Sequence, residues 1–362
     1  MADKLKMLYI TRKYPPAVGG MENFSYHLYN HFDKNRVETD LISLGKSQKH
    51  LLWFLPYALV KTVCTAHKYD VIFVGDALLS SIGWFTKLFH RKKTVIVNVF
   101  GLDITFKNKL YQWYLRRFYK CFDKYISISK ETDNALQRRG AHDSVIITPG
   151  IDTKQFSGEC ADYAEICRNY GISENDTVLI TVGRLVKRKG VNWFVRNVMP
   201  SLKGEPVKYL IVGAGEDHDT IAAGIAEHGL ESQVKLLGRV DTPVLNAIYT
   251  HADAFMMPNI PVEGDMEGFG LVAAEASLAG LTVVASGIEG IKDAIIDGKN
   301  GYLLESGNAA QYLAKIRDIC ANRAAYRETA KRFQQYTRDV YSWESICDQY
   351  LDLIEGMCGG RS

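Results

Sequence analysis

The sequence lacks the patterns that mark disulfide-stabilised domains, zinc sites and membrane-spanning helices. Its 7 cysteines are odd in number and form no C-x-x-C pair, which favours reduced thiols in a cytoplasm. The apolar run from Leu51 to Val60 contains Pro56 and is about half as long as the ~20 residues that a membrane-spanning helix needs. Leu8 to Ile10 is too short for the apolar core of a secretory signal, so we expect neither a leader nor a bilayer crossing.

Two cofactor patterns are also missing. Gly213 and Gly215 follow a predicted strand, but position 218 is His where a dinucleotide-binding fingerprint has its third glycine. No acidic residue follows on the next predicted strand, which argues against nicotinamide chemistry. No Asp-x-Asp pair stands at a strand end. We therefore expect no cofactor and no metal requirement.

Length and charge indicate two domains of different character. At 362 residues the chain can hold two domains, each with its own core. Residues 1–170 contain 25 Lys and Arg against 16 Asp and Glu, whereas residues 171–362 contain 19 against 25. The first half is therefore basic, and we expect it to contact something anionic, such as a membrane surface or a phosphorylated acceptor.

Short apolar strands alternate with helical stretches along the chain, which predicts an α/β fold with parallel sheets. The strands predicted in the first half are Met7–Ile10, Glu38–Ser43, Asp70–Val74, Thr94–Val99, Tyr125–Ser129 and Ser144–Ile147. Those in the second half are Thr177–Val182, Lys208–Val212, Val234–Leu236, Ala254–Met257 and Thr282–Ala285. We expect two Rossmann-like, doubly wound domains, spanning residues 1–152 and 153–340.

The last segment, from Tyr341 to Met357, predicts an amphipathic helix. Its apolar positions are spaced by three and four, at Trp343, Ile346, Cys347, Tyr350, Leu351 and Ile354.

Two carboxylates, Glu267 and Glu275, stand eight positions apart around a glycine-rich turn. The turn leads into an apolar stretch that reads as a helix with Gly280 at its end, and a helix N-terminus favours an anionic ligand. At ~1.5 Å rise per residue the carboxylates could lie up to ~12 Å apart, roughly the reach of a nucleotide sugar. The alternative is an ordinary amphipathic helix with a surface Glu275 and an N-terminal Glu267.

Four motifs in order resemble those of the retaining glycosyltransferases of family 4. They are Tyr14-Pro15-Pro16-Ala17-Val18-Gly19-Gly20-Met21-Glu22, Pro149 to Phe156, Val182 to Gly190, and Met266 to Glu275. The resemblance implies the GT-B architecture, in which two Rossmann-like domains face each other across a cleft. It assigns the acceptor to residues 1–152 and the nucleotide-sugar donor to residues 153–340. The final helix, within residues 341–362, is then expected to pack back on the first domain.

The same resemblance implies roles for individual residues. Arg184 and Lys189 are expected to hold the donor diphosphate, with Arg188 a weaker candidate. The alternative is that Lys187 to Lys189 form a solvated basic turn. Glu275 is expected to bind the ribose and Val240 to lie against the base. The glycine-rich loops would approach the diphosphate through Gly19 and Gly20 and the transferred sugar through Glu267, Gly268, Phe269, Gly270 and Leu271.

Asp103 is a further catalytic candidate beside Glu267, Arg184 and Lys189. Gly101-Leu102-Asp103 resembles the family's loop over the reacting sugar, but Phe100 stands where many members carry His. Asp103 would bind sugar or acceptor or act as a base; alternatively it is the N-cap of a helix starting near Thr105.

The reaction that the resemblance implies is metal-independent, same-face transfer of a hexose from a UDP- or GDP-sugar to an acceptor hydroxyl. If the protein binds a membrane, we expect that acceptor to be a lipid-linked glycan. Basic and aromatic residues are mixed over residues 106–125, which we expect to be helical. Such a helix suits an anionic membrane interface or, alternatively, an aromatic core stripe with a solvated basic face. We expect a cytoplasmic protein at the inner face of the cell membrane, and no nucleic-acid partner. Two other interpretations stay open: a catalytically silent sugar-nucleotide-binding subunit, and a GT-B nucleotide-sugar epimerase or hydrolase.

Overall fold

The computed structural model describes residues 4–17, 19–45, 48–141, 143–156 and 158–359, with the side chains of Gln48 and Leu102 excepted. The chain divides into two compact units. The first comprises Met1–Gly150 with Tyr341–Ser362, and the second Ile151–Val340.

The first unit is built on a six-stranded parallel sheet of order β2-β1-β3-β4-β5-β6. Its strands are β1 (Leu5–Thr11), β2 (Val37–Ser43), β3 (Val71–Val74), β4 (Thr94–Val99), β5 (Lys124–Ser127) and β6 (Ser144–Ile146). Every residue of β3 and β4 is buried, as expected for central strands covered on both faces. The chain adds β2 on one side of β1 and then β3 on the other, so the strand order reverses between β1 and β3. Ligands bind at the carboxyl ends of the strands at such a switch point.

Within the described residues, six α-helices connect these strands. They are α1 (Gly20–His31), α2 (Leu51–Thr65), α3 (Ser80–Phe89), α4 (Leu102–Thr105), α5 (Lys109–Phe118) and α6 (Lys130–Gln137). The second, third and fifth helices bury apolar side chains in one core cluster against the sheet, with Phe54, Ile82 and Leu115 among its members.

The second unit repeats this plan with a parallel sheet of order β12-β11-β10-β7-β8-β9. Its strands are β7 (Thr177–Val182), β8 (Val207–Val212), β9 (Val234–Gly238), β10 (Ala254–Met257), β11 (Thr282–Ser286) and β12 (Tyr302–Leu304). Its helices are α7 (Tyr163–Tyr170), α8 (Val191–Asn197), α9 (His218–His228), α10 (Thr242–His251), α11 (Leu271–Leu278), α12 (Ile291–Ala294), α13 (Ala309–Ala321) and α14 (Arg323–Tyr341).

A final helix, α15 (Trp343–Gly359), belongs to the first unit. Its buried positions are the six that the sequence spacing predicted: Trp343, Ile346, Cys347, Tyr350, Leu351 and Ile354. They share a core with Met7 of β1 and Phe24 of α1. Gly150 leaves room for this packing, since a Cβ there would lie 2.5 Å from the Trp343 ring.

The prediction of an α/β fold with two doubly wound parallel sheets is confirmed. Residues 106–125 are not one helix, however: only Lys109–Phe118 is α-helical, and Lys124 already begins β5. The apolar run from Leu51 to Val60 lies in α2. Within the part of the chain that the structure describes, no helix combines the length and the hydropathy needed to cross a bilayer.

Candidate functional site

The second unit carries a cluster of charged residues at the topological switch point of its sheet, where the strand order reverses. Strands β7 and β10 are neighbours, but the chain visits β8 and β9 between them, so their carboxyl ends flank a crevice suited to a ligand. A short 3-10 helix, Lys187–Lys189, follows β7. The segment of residues 258–270 follows β10 and leads into α11.

Glu267 lies at the centre of this cluster and is held by two cations. Lys189 Nζ lies 2.6 Å from Glu267 Oε2, and Arg188 donates a hydrogen bond from Nη1 to the same oxygen. Arg188 also pairs with Asp265 at 3.0 Å through Nε. The Glu267, Arg188 and Lys189 side chains are only 11–13% exposed, so these ion pairs are weakly screened by solvent.

The pKa values at this cluster reflect burial together with close ion pairs. Burial alone would raise the pKa of Glu267, but the charges of Lys189 and Arg188 outweigh it and lower the pKa below its usual value. Burial also lowers the pKa of Lys189, and Arg188 and Arg184 add to this effect against the attraction of Glu267. Glu267 is therefore ionised near neutral pH, and Lys189 and Arg188 are the groups of this cluster that can contact an anionic ligand.

A glycine contact holds the cationic turn against the end of β10. Gly190 has φ +66°, and a Cβ atom there would lie 1.9 Å from the carbonyl oxygen of Pro258. The backbone of Ile260 donates a hydrogen bond of 3.0 Å to the carbonyl of Arg188. Only glycine allows this approach, which brings Lys189 to Glu267.

Two residues that position Glu267 were missed in the sequence. Asn259 Nδ2 donates to Glu267 Oε2 over 3.1 Å, and Glu289 accepts a hydrogen bond of 2.6 Å from the Glu267 backbone amide. Glu289 has φ +48°, a conformation that costs a non-glycine residue energy and is typical of functional sites. Asn259 and Glu289 stand two and three residues after the buried strands β10 and β11. A polar residue just after a buried strand is a candidate ligand-binding residue, and this position could have identified both from the sequence.

Glu275 is half-buried, unlike the exposed position that the alternative gave it. It lies in the second turn of α11, whose N-cap is Gly270 at φ +84° without a side-chain cap. Burial raises the pKa of Glu275 to about 7, against the opposing charge of Lys189. Lys189 therefore acts electrostatically on both carboxylates of the motif. Phe269 is buried, so of this residue only the backbone is available to a ligand.

Arg184 is exposed and, among the residues that the structure describes, makes no ion pair. It follows Gly183, whose backbone packs under Gly213: a Cβ on Gly213 would lie 1.8 Å from the Gly183 carbonyl oxygen. Gly213 also donates a 2.7 Å hydrogen bond to Gly238 at the end of β9. Val240, half-buried, follows two residues later. The glycines at 213 and 215 thus serve close packing of adjacent strand ends.

The remaining candidates belong to the first unit. Gly19 is the N-cap of α1 and Gly20 its first residue; Val18, in the same motif, lies outside the described residues. Near them Lys13 pairs with Glu22 at 2.8 Å. These residues follow β1, one of the two strands at which the sheet of this unit changes direction.

Asp103 lies in α4, at the carboxyl end of β4, and is not the N-cap of a helix near Thr105. Its carboxylate accepts hydrogen bonds from the backbone of Phe100 at 2.9 Å and of Ala77 at 3.2 Å. Burial, and then repulsion from Asp76, raise the pKa of Asp103 to about 7. The residue holds two loops together and could take up a proton near neutrality.

No group of three or more His, Cys, Asp or Glu side chains suited to a metal ion occurs among the described residues. The side chains described above give the second unit the chemistry of an anion site, in which cations and helix-terminal amides lie beside carboxylates that can accept hydrogen bonds. This set suits a ligand that carries both phosphates and hydroxyls.

Comparison with solved structures shows the GT-B fold, which is found in glycosyltransferases. Anabaena HepE in complex with UDP aligns over 97% of this chain and 100% of its own, with a TM-score of 0.75 at 18% identity. A glycosyltransferase from Rickettsia africae aligns over 99% of this chain and 100% of its own, with a TM-score of 0.76 at 15% identity. At these identities the likeness shows the fold.

The chain belongs to glycosyltransferase family 4. Residues 162–340 match the family model "Glycosyl transferases group 1", and residues 18–155 match "Glycosyltransferase Family 4". A GDP-mannose-dependent alpha-(1-6)-phosphatidylinositol monomannoside mannosyltransferase of Mycobacterium tuberculosis is 27% identical over 58% of this chain and 55% of its own length, so the match spans about half of that relative. A glycosyltransferase of Methanocaldococcus jannaschii is 23% identical over 97% of this chain and 98% of its own.

Proposed function

We propose that the protein is a retaining glycosyltransferase that moves a hexose from a nucleotide diphosphate sugar to a hydroxyl of a lipid-linked glycan acceptor, without a metal. The observation that carries this proposal is the position of Lys189, which pairs with Glu267 and also acts on Glu275. Such a cation between two carboxylates suits a donor whose diphosphate lies between its sugar and its ribose.

The residues take the following roles in this proposal. Arg184 and Lys189 bind the diphosphate, with Arg188 supporting Glu267. Gly19 and Gly20 contribute backbone amides to the donor. The amides of Gly268 to Leu271 and the Glu267 carboxylate hold the transferred sugar. Glu275 accepts hydrogen bonds from the ribose, and Val240 contacts the base.

The reaction proceeds by same-face substitution. The bond between sugar C1 and the leaving phosphate oxygen breaks while the acceptor oxygen bonds to C1 on the same face. The acceptor proton passes to the leaving phosphate oxygen. Cations fixed at the diphosphate stabilise the negative charge that develops there, and the Glu267 carboxylate stabilises positive charge on the sugar. Asp103 binds the acceptor or sugar on the side of the first unit.

The donor is a UDP- or a GDP-hexose and the acceptor a glycolipid. The M. tuberculosis relative is GDP-mannose-dependent by name, and the Anabaena structure holds UDP. Exposed side chains within residues 106–125, namely Phe106, Leu110 and Trp113, support association with an anionic membrane. We place the protein at the inner face of the cell membrane.

The test is transfer by the purified protein from UDP-glucose, UDP-galactose or GDP-mannose to a membrane lipid extract, with and without EDTA. We expect nucleoside diphosphate release that depends on acceptor and persists in EDTA, and a product whose anomeric configuration by NMR equals that of the donor. An inverted product contradicts the retaining mechanism. If the donor is consumed at a rate that the acceptor does not increase, the protein is an epimerase or a hydrolase. If nucleotide sugar binds but is not consumed, the protein is a silent subunit.

A further inference from the structure

We propose that a basic pocket between the ends of α3 and α5 binds the phosphate group of an anionic membrane lipid. This inference rests on the membrane association proposed above and adds a defined site to it. The cavity measures about 300 Å³ and is lined by four cations, Lys87, Arg91, Arg117 and Lys120. None of its lining residues carries a carboxylate.

Three of the four cations are not neutralised by a nearby acid. Lys87 is occupied, since its Nζ lies 2.6 Å from Asp123 Oδ2. Arg91 and Lys120 are exposed and make no ion pair within the described part of the chain. Like charges around one small cavity repel each other, so an anion bound between them is favoured.

Arg117 is held ready for such an anion by an aromatic side chain. Its guanidinium carbon lies 4.5 Å from the centre of the Trp84 ring and 5.4 Å from that of Phe118. This stacking orders the long side chain and leaves its N–H groups available. A planar fork beside a movable ammonium group matches phosphate oxygens, which accept two parallel hydrogen bonds from an arginine.

The apolar surroundings of the pocket indicate a lipid rather than a soluble phosphate. Leu88, which lines the cavity, and its neighbour Phe89 are 48% and 65% exposed. On α2, Leu52 and Trp53 are more than 80% exposed. Among the described residues, every large hydrophobic side chain that is at least 40% exposed lies in the first unit. An apolar surface confined in this way marks an interaction site.

These apolar side chains and the pocket share one surface of the first unit. Helices α2, α3 and α5 pack side by side, and each buries residues in the same core cluster against the sheet. Their opposite sides therefore point away from the sheet together. A surface with apolar side chains beside unpaired cations is complementary to a bilayer that carries negative headgroups.

The test is flotation of the full chain with vesicles. Three vesicle types are compared: phosphatidylcholine alone, phosphatidylcholine with phosphatidic acid, and phosphatidylcholine with enough oleate to match that negative charge. We expect the protein to prefer phosphatidic acid. Arg91→Glu and Lys120→Glu should each weaken that binding roughly 30-fold, since each change alters the charge by two units and each unit near an anionic membrane contributes ~1 kcal/mol. Lys34→Glu, which makes the same charge change beside α1, should not.

Several results would overturn the inference. Equal binding to phosphatidic acid and oleate vesicles, or equal loss in the Lys34→Glu variant, would indicate a diffuse charge effect. A rise in thermal midpoint with inorganic phosphate that Lys120→Glu abolishes, without vesicle binding, would indicate a soluble ligand. Nucleotide binding by the same variants is measured in parallel: if it persists while vesicle binding shows no dependence on the pocket, this inference fails and the transferase proposal stands.

Discussion

The ammonium group of Lys189 lies 2.6 Å from the Glu267 carboxylate, and its charge also acts on Glu275 one helical turn into α11. One lysine thus connects two carboxylates that stand eight positions apart in the sequence. The contact depends on Gly190, because its backbone touches the end of β10.

Glu267→Gln is expected to slow transfer by about 10²- to 10³-fold, the usual effect of removing one transition-state contact. Gln preserves the size of the side chain and can still accept from Asn259, but it cannot stabilise positive charge on the sugar. Nucleotide affinity, measured by calorimetry, should change little. The control is Asp265→Asn, which alters the other partner of Arg188 and should retain most of the rate. Equal loss of nucleotide affinity and rate in Glu267→Gln would contradict this division of roles.

Arg184→Ala should weaken binding of the nucleoside diphosphate by roughly 10- to 100-fold, the range for hydrogen bonds to a charged group. Its thermal midpoint should stay close to that of the wild type, since the exposed side chain makes no ion pair among the described residues. Lys187→Ala is the matched control, as Lys187 is an exposed cation in the same loop. If both variants lose affinity to the same extent, the loop acts only through its net charge.

Glu275 predicts a pH dependence of stability. Burial raises its pKa to about 7 in the folded protein, above the ordinary 4.5. The stability that this group contributes is therefore fully present below pH 4.5 and is lost as the pH rises through about 7. Glu275→Gln should remove this loss, so that variant and wild type diverge in thermal midpoint as the pH increases. Asp103 titrates in the same range but is common to both proteins; parallel curves would contradict the assignment to Glu275.

Glu275 also predicts a pH dependence of nucleotide binding. Ribose hydroxyls donate to the ionised carboxylate, so the affinity of the wild type should rise as the pH increases through about 7. Glu275→Gln should lose that part of the pH profile while keeping the part that arises from titration of the nucleotide phosphate. Calorimetric titrations of both proteins with the same nucleotide measure the difference. Identical profiles would place the ribose elsewhere.

Gly190→Ala should destabilise the second unit by more than the ~1–2 kcal/mol that a positive φ alone costs an L residue, because its Cβ would overlap the Pro258 carbonyl. Gly204→Ala is the control, since Gly204 has φ +82° but open space around its Cβ. Denaturant unfolding gives both free energies. Comparable values for the two variants would show that the contact with β10 is not required.

Strand positions in this chain could be predicted because central strands buried on both faces are continuous apolar runs; β4, β7 and β10 have the predicted ends. Helix α2 was not predicted, since its outward residues Leu52, Trp53 and Tyr57 are apolar and exposed, which erases the periodicity. The prediction of one helix over residues 106–125 was wrong for a related reason. Some aromatic side chains there, such as Tyr119, are buried in the core, whereas Phe106 and Trp113 are exposed, so the apolar positions do not follow one helical period.

The two motif carboxylates could be recognised from their spacing, but not what holds them. Asn259 and Glu289 contact Glu267 from segments 8 and 22 residues away, and only the order of strands in the sheet brings these segments together. The raised pKa of Glu275 likewise comes from burial inside the fold, which local sequence does not encode.

A thermal-shift titration with UDP, GDP, ADP and their common sugar conjugates tests whether the second unit holds a site for a nucleotide diphosphate sugar. A ligand that binds only the folded protein raises the midpoint by mass action. We predict a rise with one nucleotide in preference to the others, reduced in Arg184→Ala and retained in Lys187→Ala. No rise with any nucleotide at millimolar concentration would contradict the account.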